Sequence, residues 1–111
     1  MAEYALGTLV VRDESGAEVS AIPRGNSLVT IPITKQSDGG NALVLLAAYG
    51  ADGQYQGLMY VQVKNVPLGA TVEITLPLNN ADGKIARLKA FPVASFSDPV
   101  PLGAASEFPQ S

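Results

Sequence analysis

The sequence predicts an all-β fold, a single antiparallel β-sandwich of seven to eight short strands. Three observations carry this. Apolar and polar residues alternate with a period of two along most of the chain. Turn residues interrupt that alternation about every 8–12 positions, and no stretch repeats its apolar residues at helical spacing. The length of 111 residues, with no linker, repeat or low-complexity tract, fits one domain over residues 1–111. A domain of that size buries enough surface to need no covalent staple.

Each element follows from its residues. Leu9 and Val11 alternate with Val10 and Arg12 ahead of a polar turn, Asp13-Glu14-Ser15-Gly16. Val19 to Ile22 makes a short strand before the turn Pro23-Arg24-Gly25-Asn26. Val29, Ile31 and Ile33 then alternate with Thr30, Pro32 and Thr34, which turns one apolar face inward. Pro32 has no N–H for a ladder, so the pattern predicts an edge strand or a bulge. Asp38-Gly39-Gly40 marks the next turn, within Gln36 to Asn41.

Leu43 to Ala48 is apolar on both faces, as a strand central to a sheet should be. Asp52-Gly53 is a hairpin cue. It leads into the long strand Tyr55 to Lys64, where Met59, Val61 and Val63 alternate with Tyr60, Gln62 and Lys64. After the turn Pro67-Leu68-Gly69, Val72, Ile74 and Leu76 alternate with Thr71, Glu73 and Thr75. A turn at Asn79 to Gly83 precedes the strand Lys84 to Phe91, with Leu88 and Ala90 on one face and Arg87 and Lys89 on the other. A proline-rich link, Pro92 to Pro101, leads to a last strand from Leu102 to Phe108. The predicted core is Val29, Ile31, Ile33, Leu45, Met59, Val61, Val63, Val72, Ile74, Leu76 and Leu88. Such regular short strands read as an immunoglobulin-like or fibronectin type III-like sandwich, with a small closed barrel as the alternative.

Composition closes many functional classes. The chain has no cysteine, so it has no disulfide, thiolate metal site or thiol nucleophile. It has no histidine, so imidazole acid–base chemistry is absent, and serines and threonines lack a histidine partner. No enzyme activity and no cofactor are expected. Seven Lys and Arg against ten Asp and Glu give a net charge of −3, which argues against nucleic acid as a partner. The longest apolar run, Ala42 to Tyr49, is too short for a helical membrane span. The start, Met1-Ala2-Glu3-Tyr4, carries no signal-peptide pattern. The aspartates are spread over separate turns, where Asp beside Gly serves backbone geometry, and no metal site is expected.

The informative residues are aromatics of outward parity. If Met59, Val61 and Val63 face the core, Tyr60 faces out beside Gln62 and Lys64. By the same parity Phe91 shares the outer face with Arg87 and Lys89, and Tyr49 and Tyr55 flank the Asp52-Gly53 hairpin. Tyr60, Gln62, Arg87, Lys89 and Phe91 are therefore the candidate ligand-binding residues, for a sugar ring or a protein contact. The plain alternative is that these aromatics pack on a neighbouring strand, loop or domain.

From Asp13 to Phe108 the order of features resembles small modules of multimodular secreted bacterial proteins, of the fibronectin type III or bacterial immunoglobulin-like kind. The resemblance lies in Leu45-Leu46-Ala47-Ala48-Tyr49 with Gly53 after the turn, in Lys89-Ala90-Phe91-Pro92-Val93-Ala94-Ser95, and in Pro101-Leu102. Val93 stands where the family pattern has tryptophan, Ala94 where it often has aspartate, and Pro92 lacks a backbone donor. Phe96 or Phe108 is expected to replace the missing plug. The resemblance implies a non-catalytic accessory module at the cell surface or outside the cell. Its partners would be neighbouring domains of the same polypeptide. A carbohydrate- or protein-binding module using an exposed aromatic face is the alternative.

Overall fold

The computed structural model describes residues 3–38 and 40–110. Gly39 of the Asp38-Gly39-Gly40 turn, and Met1 and Ala2 of the leader reading, lie outside the described residues. Among the described residues nine strands follow in order: β1 (Tyr4–Leu6), β2 (Val10–Arg12), β3 (Glu18–Val19), β4 (Gly25–Lys35), β5 (Ala42–Tyr49), β6 (Tyr55–Val63), β7 (Thr71–Asn80), β8 (Arg87–Val93) and β9 (Ser106–Phe108). There is no helix among the described residues. All pairings are antiparallel, in two sheets that enclose one apolar core.

In the first sheet β4 pairs with β7 along one side, from Gly25↔Asn80 to Thr34↔Thr71. Its other side is shared by β1, opposite residues 33–35, and β2, opposite residues 28–30, with β3 beyond β2. The second sheet runs β6-β5-β8-β9. Nine strands replace the expected seven to eight, because Tyr4–Leu6 adds a pairing on β4 that its short, unpatterned sequence does not announce.

Pro32 corrects the expectation of an edge strand or bulge, since β4 is an interior strand. The Gly7 N–H donates to the Pro32 carbonyl at 2.8 Å. A residue's N and C=O point to the same side of a strand, so the proline nitrogen faces the break between β1 and β2, where no ladder acceptor is lost. A Cβ on Gly7 would stand 3.1 Å from the Pro32 Cβ, so this close passage suits glycine.

Val29, Ile31, Ile33, Val63 and Leu88 are buried in the core as expected. Met59, Val61, Val72, Ile74 and Leu76 pack against it but are only half-buried, because β6 and β7 are edges of their sheets. Leu45 is a correction. Val44, Leu46 and Ala48 point into the core, which leaves Leu45 on the opposite face of β5 between Tyr60 and Phe91. In a run apolar at every position, alternation gives no sign of which set faces inward.

Other boundaries shift where side chains or loops replace ladders. Residues 84–86 are not strand. The Asn80 side chain and the Tyr49 carbonyl hold Ile85 and Ala86 instead. The last strand shortens to β9 because Leu102 is bonded to Tyr4 and Pro92. Phe108 joins the core, and it is this residue, not Phe96, that fills the interior.

Candidate functional site

The outer face of the second sheet is built by parity and register. Across β8, β5 and β6 the rows read Val93–Leu43–Gln62, Phe91–Leu45–Tyr60, Lys89–Ala47–Leu58 and, at the hairpin end, Arg87–Tyr49–Tyr55. Alternation in each strand places these residues on one side, and pairing brings them together. All five candidate residues, Tyr60, Gln62, Arg87, Lys89 and Phe91, stand on this face. Tyr60 and Phe91 do not pair directly, since Leu45 lies between them.

The loop after β8 completes the face. Ala94 N bonds the Val100 carbonyl at 3.0 Å, and Ser95 Oγ accepts from the Asp98 N–H at 3.1 Å. Those bonds fold the loop back so that Phe96 meets Tyr60, with ring centroids 4.5 Å apart and planes at 81°. Both rings remain exposed, Tyr60 at 57% and Phe96 at 52%. Perpendicular rings form a corner and offer no shared plane. Beside this corner lies a cleft of about 370 Å³, with Leu43 in its wall and Gln62, Lys64, Ser95 and Ser97 among its polar lining.

At the other end Tyr49 and Tyr55 meet edge to face at 6.1 Å. The Lys89 ammonium sits 5.9 Å from the centre of the Phe91 ring and 3.8 Å from the Glu107 carboxylate. Both ends of that ion pair are solvated, so it orients Lys89 more than it stabilises the fold. Five of the chain's seven aromatic side chains, Tyr49, Tyr55, Tyr60, Phe91 and Phe96, belong to this face and its bordering loop.

The outer face of the first sheet is different in kind. There Thr30 and Thr75 are hydrogen-bonded at 3.2 Å, Thr34 and Thr71 at 2.6 Å, and Pro32 pairs with Glu73. At one end of that face the exposed Leu28 pairs with Pro77, so the first sheet carries threonine pairs and a short apolar row but no aromatic ring, whereas the second carries the aromatic rings. The aspartate turns are occupied with themselves. Asp13 Oδ1 accepts from Ser15 and Ala17, Asp52 Oδ1 from Gln54 N, and Asp82 Oδ1 from Lys84 N. The Ser15 hydroxyl is the largest influence holding the Asp13 carboxyl below its ordinary value.

Sequence reasoning misses Phe96 and Leu45 as members of this face, while it places Lys64 there beside Tyr60 and Gln62. The predicted core places Leu45 inward, and Phe96 lies in a loop whose return is decided by hydrogen bonds between loop residues. The place of Lys64 in the cleft depends on Phe96, which the alternation of β6 does not reveal. Comparisons with protein-family models, curated proteins and solved structures found no match.

Proposed function

We propose that the chain is a non-catalytic accessory module of immunoglobulin-like type that uses the aromatic face of its second sheet to dock a neighbouring polypeptide. The carrying observation is the asymmetry between the two outer faces, with the aromatics gathered on one and the threonine pairs on the other. Exposed aromatic rings gathered with Leu58 on one sheet face mark a surface suited to being covered in use. Strand order supports the immunoglobulin-like reading. With β4, β7, β6, β5, β8 and β9 taken as strands B, E, C′, C, F and G, the pairings B–E and C′–C–F–G match that architecture. The resemblance to modules of secreted bacterial proteins supports a place outside the cell or at its surface, with adjacent domains as partners.

The perpendicular setting of Tyr60 and Phe96 favours a polypeptide over a glycan, because a corner receives a side chain whereas a sugar ring stacks on an open plane. The test compares melting temperature for the domain alone and joined to the adjacent domain of its polypeptide. The joined form is expected to melt higher, and Phe96→Ala is expected to remove the gain. An equal melting temperature, or a gain insensitive to Phe96→Ala, overturns the docking reading. A glycan-array hit whose affinity falls in Tyr60→Ala and Phe91→Ala would move the function to carbohydrate binding.

A further inference from the structure

We infer that the Tyr60–Phe96 cleft takes an acidic polypeptide segment, one that presents a large apolar side chain beside a carboxylate. This rests on the docking reading and specifies its partner. The apolar part follows from the walls. Leu43, Ala42, Tyr60 and Phe96 line the cleft, and the edge-on rings leave a corner shaped for a side chain from another chain. The acidic part follows from charge. Lys64 is the one charged residue among those lining the cleft, and no carboxylate pairs with it among the described residues.

The rest of the face continues the same sign. Arg87 and Lys89 border it at the hairpin end, and Glu107, the carboxylate that reaches it from β9, is engaged by Lys89. Three of the chain's seven cations therefore surround an aromatic surface on a molecule whose net charge is −3. Two copies meeting through this face would bring the unpaired cations together, which disfavours a symmetric dimer. The Gln62 amide adds a donor and an acceptor at the cleft for the main chain of a bound segment.

The experiment uses the whole chain and a phage-displayed library of random dodecapeptides, with counter-selection on Phe96→Ala. Enriched peptides are expected to pair Phe, Leu or Met with adjacent Asp or Glu. A synthesised peptide from that pool should lose at least about tenfold in affinity to Phe96→Ala and to Lys64→Glu. Its binding should also weaken as salt rises. Lys64 is exposed, so Lys64→Glu is expected to fold, and an unchanged circular dichroism spectrum and melting temperature establish this. Enriched peptides that depend on Phe96 but lack acidic residues, or that bind Lys64→Glu equally well, overturn the acidic partner and leave the docking reading standing. If no peptide depends on Phe96, or if the chain binds phosphatidylserine vesicles through Lys64 and Phe96 in place of peptides, the polypeptide reading itself fails.

Discussion

The side chain of Asn80 and the backbone of Ile85 hold each other in both directions. Asn80 Oδ1 accepts from the Ile85 N–H at 2.9 Å, and Asn80 Nδ2 donates to the Ile85 carbonyl at 3.0 Å. A further bond from Nδ2 to the Pro23 carbonyl at 3.1 Å ties in the loop before β4. The amide thus substitutes for a ladder where β7 gives way to β8, and it is almost fully buried. Asn80→Ala leaves one donor and two acceptors short of partners and should cost ~2–4 kcal/mol. Chemical denaturation measures it, and a loss below about 0.5 kcal/mol would show that water satisfies these groups.

Leu45 and Leu46 are adjacent but face opposite ways. Leu46→Ala, at 1% exposure in the core, should cost ~2–5 kcal/mol. Leu45→Ala should cost roughly 1 kcal/mol, since it removes a half-buried contact and opens no enclosed cavity. Equal losses in paired denaturation curves would mean that the register of β5 is wrong.

Ser27 is 4% exposed, and its hydroxyl has no hydrogen-bond partner among the described residues. Ser27→Ala removes an unpaired polar group and should be neutral or stabilising by up to about 1 kcal/mol. A clear destabilisation would reveal a buried water bonded to that hydroxyl.

Gly103 lies against Tyr4, whose N–H donates to the Leu102 carbonyl at 3.0 Å. A Cβ at this position would overlap the Tyr4 carbonyl oxygen. Gly103→Ala should therefore lower stability by ~1–3 kcal/mol or more. At Gly40 a Cβ meets nothing within 4 Å, and alanine there should change stability by less than about 0.5 kcal/mol. Thermal melts of both variants separate close approach from a general cost of losing glycine.

Stability should depend on pH at both extremes. Burial, and secondarily the Glu3 charge, raise the Tyr4 phenol above its ordinary value of 10.0. Its contribution is complete below pH 10 and is lost as pH climbs through the raised value of the folded state, because the unfolded chain releases the proton first. Asp13 is lowered from 3.8, so its contribution is present above that value and lost as pH falls below it. Denaturation midpoints of Tyr4→Phe should show a shallower alkaline decline, and those of Asp13→Ala a shallower acid decline. Slopes equal to those of the unsubstituted chain would show that neither group is linked to folding.

The sequence by itself determined the all-β class, the positions of the long strands and the outward parity of Tyr60, Gln62, Arg87, Lys89 and Phe91. These are local properties, since period-two alternation and Asp-Gly turns act through residues a few positions apart. Tertiary structure alone decided three further matters. Leu45 faces outward because strand pairing on both sides of β5 selects one of two equally apolar faces. Pro32 fits inside a sheet because a distant segment, Gly7 to Leu9, breaks opposite it. Phe96 joins Tyr60, 36 positions earlier in the chain, because the loop from Ala94 to Pro101 closes on its own hydrogen bonds and returns over the sheet. Each is a contact between residues far apart in the chain, which alternation within a single strand does not encode.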